Sequence, residues 1–333
     1  MSKFLAALVL WLFTTAHGLA QQPVKGVLTP ADLKATAAHQ VTIGFYPISV
    51  YELNMGSNTF YADLYVWLRW KGDIDPVASL EFTNMVDEWG KQQQTIQEKP
   101  QTLSDGSKYI ILKVEGRFVQ PFNFASYPLD KHKLSIIVED SESDAQDLSF
   151  VIDEQKSGIG SNLQIPGWSL GGWSADTFKH DYGSNMGEDG ASTIYSTAQF
   201  NIHIERPRSY FYSKLLMPLL IVLTVALSTL FLAPRAIDAR TALPGGALLT
   251  AVFLQMGYSD SLPQLAYLVL MDEIYLVAFI LIVATLVRAI ITFQRSEKAD
   301  ARTLDRIMKT DKMLVLVQFI VFMAATFLLI QVK

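Results

Sequence analysis

Four long apolar segments occupy the C-terminal part of the chain, and they constrain its fold more than any other feature. They run over about 210–232, 240–258, 264–293 and 312–332. A helix crosses a ~30 Å hydrocarbon core with about 20 mostly apolar residues, so each segment is long enough to span a bilayer. The second is the least apolar, with Pro244-Gly245-Gly246 near its start and Gln255 near its end. A helix that suits lipid poorly is expected to face water. Only 18% of the 333 residues are charged, whereas a typical soluble chain carries about 25%. The net charge of −5 supplies no basic footprint for nucleic acid.

Ahead of Tyr210 the pattern is different. From Phe60 to Trp70 apolar and polar residues alternate strictly, which marks a strand with one face in a core. Further strands are predicted at Val41–Val50, Tyr109–Phe118, Lys133–Glu139, Leu148–Ile152, Gly172–Phe178 and Thr193–Ile204. Turn signals such as Ser104-Asp105-Gly106 and Ser157-Gly158 separate them. Many short strands at this spacing predict a sandwich or barrel. A short helix is expected at Ala31–His39.

Residues 1–20 read as a secretory signal, with Lys3 before a short apolar run and Gly18-Leu19-Ala20 at the end. The alternative is an uncleaved anchor. The expected organisation is therefore a signal at 1–20, an exported β domain at 21–208, and a membrane domain at 209–333 with a link at 294–311. The link holds Arg295, Lys298, Arg302, Arg306 and Lys309, and Arg235 and Arg240 lie between the first two segments. The positive-inside rule puts both links in the cytoplasm, and the β domain and C-terminus outside.

Cysteine is absent, which excludes disulfides, thiolate metal centres and cysteine nucleophiles. No metal-ligand spacing, cofactor fingerprint, nucleophile elbow or phosphate loop stands out, so no cofactor and no enzymatic activity are expected.

Four further places narrow the reading. They are Tyr127-Pro128-Leu129-Asp130, Val66-Trp67-Leu68-Arg69-Trp70, Arg206 followed by Tyr210, Phe211 and Pro218, and Leu262-Pro263. In this order they resemble the pentameric ligand-gated ion channels, especially the bacterial members that lack the Cys-loop cysteines. The resemblance implies an extracellular immunoglobulin-like β-sandwich followed by a four-helix transmembrane bundle, assembled as a homopentamer around a central pore. It implies a cation-conducting, ligand- or pH-gated channel in the cell membrane, with lipid, inorganic cations and other copies of the chain as partners. The alternative is a non-conducting, membrane-anchored sensor or binding protein.

Residues three or four apart share one helix face. From Asp238 that stripe of the second segment contains Ala242, Gly246, Leu249, Phe253 and Met256, and the resemblance marks the same positions as pore-lining. Asp238, Ala242 and Gly246 are the selectivity candidates; an acidic ring concentrates cations. The other reading of Asp238 is an acid favoured at a helix start. Leu249, Phe253 and Met256 are candidates for an apolar gate that stops ions by dewetting, or for ordinary packing. With Pro244 in a first turn, the small residues beside it predict a wide inner mouth.

For coupling, the resemblance marks Pro128, Asp130, Arg206, Leu262 and Pro263, with Asp130 and Arg206 as an expected ion pair. For an agonist it marks Tyr65, Trp67 and Arg69 on one side of a subunit boundary and Glu139, Asp140 and Tyr182 on the other. Aromatics with acids suit a cationic amine. The proton is the second candidate agonist, because histidine titrates near neutral pH, and His132 is the first candidate sensor. The polar loop His180–Ser192 is expected to act as a flap.

Overall fold

The computed structural model describes residues 38–86, 92–96, 99–185, 187 and 193–333. The expected signal at 1–20, most of the expected helix Ala31–His39 and the end of the loop His180–Ser192 lie outside the described residues. The chain forms two compact units. One takes Ala20–Phe122 and Lys131–Glu205, the other Asn123–Asp130 and Arg206–Lys333. The Tyr127-Pro128 segment therefore belongs with the helices and not with the strands around it.

Among the described residues the first unit is all β. Its strands are β1 (His39–Asn54), β2 (Thr59–Trp70), β3 (Leu80–Phe82), β4 (Met85–Val86), β5 (Gln92–Thr95), β6 (Gln101–Thr102), β7 (Lys108–Val119), β8 (Lys131–Asp140), β9 (Leu148–Ile152), β10 (Ser169–Asp181) and β11 (Ile194–Glu205). One sheet runs β4-β7-β2-β1-β9, with β5 and β6 also pairing with β7; the other runs β10-β11-β8-β3. All pairings are antiparallel except β1 with β9.

The alternation in β2 decides which face is inside. Phe60, Ala62, Leu64, Val66, Leu68 and Trp70 are all buried. They share one core with residues of the second sheet, such as Ile136 and Phe200. Phe45 of β1 stacks on Phe200 of β11 with ring centroids 5.3 Å apart. Each large apolar side chain so buried contributes roughly 1.5–3 kcal/mol.

Among the described residues the second unit holds four long helices. They are α1 (Tyr210–Phe231), α2 (Ile237–Ser259), α3 (Leu270–Ser296) and α4 (Ala301–Val332). All four are long and apolar enough to cross a membrane, which makes this a multi-pass membrane protein. The sandwich followed by four apolar helices is the arrangement the sequence predicts. α1 opens with wide π-helical turns over Tyr210–Leu216, just ahead of Pro218. Proline lacks an N–H and crowds the carbonyl four residues back, and a wider turn relieves both.

Three helix boundaries differ from expectation. α2 begins at Ile237, so Pro244 lies inside the helix and not in its first turn. Its missing N–H would have bonded the carbonyl of Arg240. The hydroxyl of Thr229 on α1 donates to that carbonyl instead, at 3.0 Å. α3 begins at Leu270 rather than Gln264, where Asp272 accepts from the Val269 N–H at 3.1 Å and closes the first turn. α4 begins at Ala301 rather than Lys312, because Asp300 caps it by accepting from the Thr303 N–H at 3.0 Å. The residues before Lys312 carry no lipid signal but continue the same helix, and the expected link at 294–311 contracts to 297–300.

Candidate functional site

The two faces of α2 are unlike. Arg240, Pro244, Ala247, Ala251 and Tyr258 are buried against the rest of the helical unit. Asp238, Ala242, Gly246, Leu249, Phe253 and Met256 all face away from it. Leu249, Phe253 and Met256 are 58%, 62% and 55% exposed, so large apolar side chains project from a helix whose other side is packed. A Cβ added at Gly245 or Gly246 would meet nothing within 4 Å.

Arg240 points away from Asp238. Its guanidinium is fully buried and donates to the carbonyls of Thr229 and Leu230, at 3.2 and 3.4 Å, where α1 ends. It also donates to the Thr292 hydroxyl on α3 at 2.7 Å and to Asp311 on α4. Asp311 accepts at its other oxygen from Arg288 of α3, at 2.9 Å. One carboxylate thus serves two guanidiniums, and the knot joins all four helices. Carbonyls in the last turn of a helix lack the full set of backbone partners, so they are natural acceptors for it, although the Thr229 carbonyl also accepts from the Leu232 N–H at 3.2 Å. Sequence reasoning missed the knot, although charges inside apolar segments are a signal for one.

A second cluster surrounds Tyr127, whose peptide bond to Pro128 is cis. Asp130 immediately precedes β8 and Arg206 immediately follows β11. Arg206 donates twice to Asp130, at 2.8 and 3.1 Å. The Asp130 side chain is 1% exposed and that of Arg206 is 15% exposed, so the pair is well shielded. The guanidinium also lies 4.9 Å from the centre of the Tyr127 ring. Burial and a hydrogen bond with Tyr210 at 3.2 Å push the Tyr127 hydroxyl above the usual phenol range.

Tyr127 stacks on Tyr258 at the end of α2, with centroids 5.9 Å apart, and the Tyr258 hydroxyl donates to Asp272 at the start of α3. The carbonyls of Ala125 and Tyr127 accept from the N–H groups of Leu270 and Met271 at 3.0 and 3.2 Å. Pro128 is buried, and Leu262 and Pro263 are half-buried in the turn after α2.

In the β unit, Tyr65, Trp67 and Arg69 line a cavity of about 480 Å³ together with Tyr46, Tyr109 and Asp153. The Trp67 indole donates to Asp153 at 3.1 Å. The ring lies flat over Gly44, its partner on β1, where a Cβ would come within 2.1 Å of it. Arg69 donates to Ser107 at 2.9 Å and to Asp105 at 2.6 Å.

Glu139, Asp140 and Tyr182 belong to the other sheet or its edge, and within one chain they do not share that cavity. Glu139 is buried and accepts from the hydroxyls of Thr197 at 2.7 Å and Tyr182 at 2.9 Å. His180 Nδ1 lies 2.7 Å from the same carboxylate. Burial, and then the bond to Glu139, raise the Tyr182 hydroxyl above its usual range. Asp140 is occupied differently: it accepts from the Ser79 hydroxyl and from the N–H groups of Glu142 and Ser143, which shape a turn. His132 is buried edge-on between the rings of Phe122 and Trp168, at 5.1 and 5.4 Å. His180, at the start of the expected flap, is set against an acid.

No family model matches the chain. The chain is 20% identical over 289 residues to a protein of Gloeobacter violaceus described as a proton-gated ion channel, and the match covers 80% of this chain and 77% of that one.

Proposed function

We propose that the protein is an ion-channel subunit, that five copies surround a pore lined by α2, and that Asp238 makes the pore cation-selective. The exposed stripe of α2 carries this reading. Leu249, Phe253 and Met256 stand bare in a single chain while the opposite face is buried. Copies arranged around that stripe would turn each residue into a ring. Acidic rings favour cations, and apolar rings close a pore by dewetting. The similarity to a proton-gated ion channel supports the same reading. So do the positive charges beyond α1 and α3, since the positive-inside rule would assign those ends to the cytoplasm and the sandwich to the outside.

The proton is the agonist we favour, with His180 as its acceptor. Histidine charges between about pH 8 and pH 5. A charge on His180 would turn its contact with Glu139 into a charge-assisted bond. Tyr182 and Tyr195 face the same site, and Glu81 acts on Tyr182 through its charge. An amine is the second reading, supported by the aromatic cavity beside Asp153. Asp130, Arg206 and Tyr127 would pass the signal to Tyr258 and the pore helix.

Purified protein in a planar bilayer tests this. Unitary currents should follow a step from about pH 7.5 to about pH 5, the range over which histidine charges. Their reversal potential in asymmetric salt should follow the cation. A silent bilayer at every pH and with amines present would favour the non-conducting sensor.

A further inference from the structure

A second cavity, of about 580 Å³, lies in the helical unit away from the α2 stripe and the Tyr127 cluster. Arg288, Arg295 and Lys298 line it from the end of α3 and the link, and Asp300, Thr303 and Arg306 from the start of α4. The wall is strongly one-signed. Asp300, its one carboxylate, is committed to capping α4. Arg295, Lys298 and Arg306 make no salt bridge among the described residues, whereas Lys309 on the same helix pairs with Asp305 at 2.8 Å. Arg288 pairs with Asp311, which it shares with Arg240. The cavity therefore presents surplus positive charge that the fold leaves unanswered.

Its position bears on which anion could answer that charge. The apolar run of α3 ends at Phe293, so the cavity stands at the edge of the lipid-facing span, on the side that the positive-inside rule assigns to the cytoplasm. Anionic phospholipids enrich that leaflet, and basic pockets between helices there take their headgroups. Guanidinium groups match phosphate oxygens in a two-point geometry. We propose that this cavity binds a phosphate-bearing anion, supplied by the headgroup of an anionic phospholipid of the inner leaflet. Arg288 gives the site a reach beyond itself, because it shares Asp311 with Arg240 on α2. A phosphate that draws on Arg288 leaves more of the carboxylate to Arg240. The inference rests on the helices crossing a membrane and not on ion conduction.

The test is binding to the delipidated full-length protein in detergent, read by thermal stability at matched ionic strength. Short-chain phosphatidylglycerol, short-chain phosphatidylcholine and inorganic phosphate are the three probes. Phosphatidylglycerol should stabilise the protein and phosphatidylcholine should not. The variant Arg295→Gln/Lys298→Gln/Arg306→Gln should weaken the phosphatidylglycerol response about a hundredfold, and Arg306→Gln alone about fivefold. Arg302→Gln, a nearby cation off the cavity wall, should leave it unchanged. Equal stabilisation by inorganic phosphate, lost in the same variants, keeps the chemistry and overturns the lipid source. A phosphatidylglycerol response unchanged in both variants, or absent from the parent protein, overturns the proposal. No current is measured, so a failed channel reading would leave this result interpretable.

Discussion

At the scale of single residues, the helical unit turns on Arg240 and Asp311. Two buried ions are costly to desolvate and are tolerated only when every donor and acceptor is answered. Here the guanidinium reaches two backbone carbonyls, a hydroxyl and a carboxylate. Asp311→Asn should therefore destabilise the protein by about 3–5 kcal/mol, because it strands a buried charge. Thermal unfolding in detergent reads this, and a midpoint equal to that of the parent protein would sink it. This knot was poorly legible in the sequence. Its partners lie 71 residues apart, and Asp311 fell within what looked like a solvated link. The Asp130–Arg206 pair was legible only through resemblance, since nothing local in either segment points to the other.

At the scale of elements, legibility followed length. β2 and β7 alternate over twelve residues each, and their inner faces could be read directly. β3 to β6 run from two to four residues, too short for any period, and β5 is entirely polar. The apolar cores of the helices were equally plain, but their ends were set by single bonds at Asp272 and Asp300. Within α2, Gly246 faces open space. If α2 lines a pore as proposed, Gly246→Leu should narrow it and exclude larger organic cations while small ones still pass. Bi-ionic reversal potentials with amines of graded size measure this. The same size cut-off in both proteins would remove Gly246 from the wall.

At the scale of the whole molecule, the β unit can be followed separately, because five of the six tryptophans belong to it and none follows Tyr210. Bonds from Ser107 and then Arg69 hold the Asp105 carboxyl below its ordinary value of 3.8. A carboxyl held low contributes stability that is present above about pH 4 and lost as the pH falls. Tyr182 is held high, chiefly by burial and then by Glu139. Its contribution is present below about pH 10 and lost as the pH rises past that. Unfolding temperatures from tryptophan fluorescence should form a plateau with a falling limb on each side. Asp105→Asn should flatten the acid limb; an unaltered limb would assign it to other carboxylates.

The hydroxyl of Thr229, which fills the gap left by Pro244, also bears on where α2 can bend. Rotating the inner end of α2 would strand the Arg240 carbonyl and its guanidinium together in hydrocarbon. An orphaned carbonyl alone costs about 1–3 kcal/mol. Between Pro244 and Gln255 no α2 side chain bonds to another helix among the described residues, and a Cβ at Gly245 or Gly246 would meet nothing within 4 Å. The helix is thus tied at both ends, by Arg240 at its start and by Gln255 and Tyr258 on Asp272 at its end, and its free play lies in the stretch between, which carries Leu249 and Phe253.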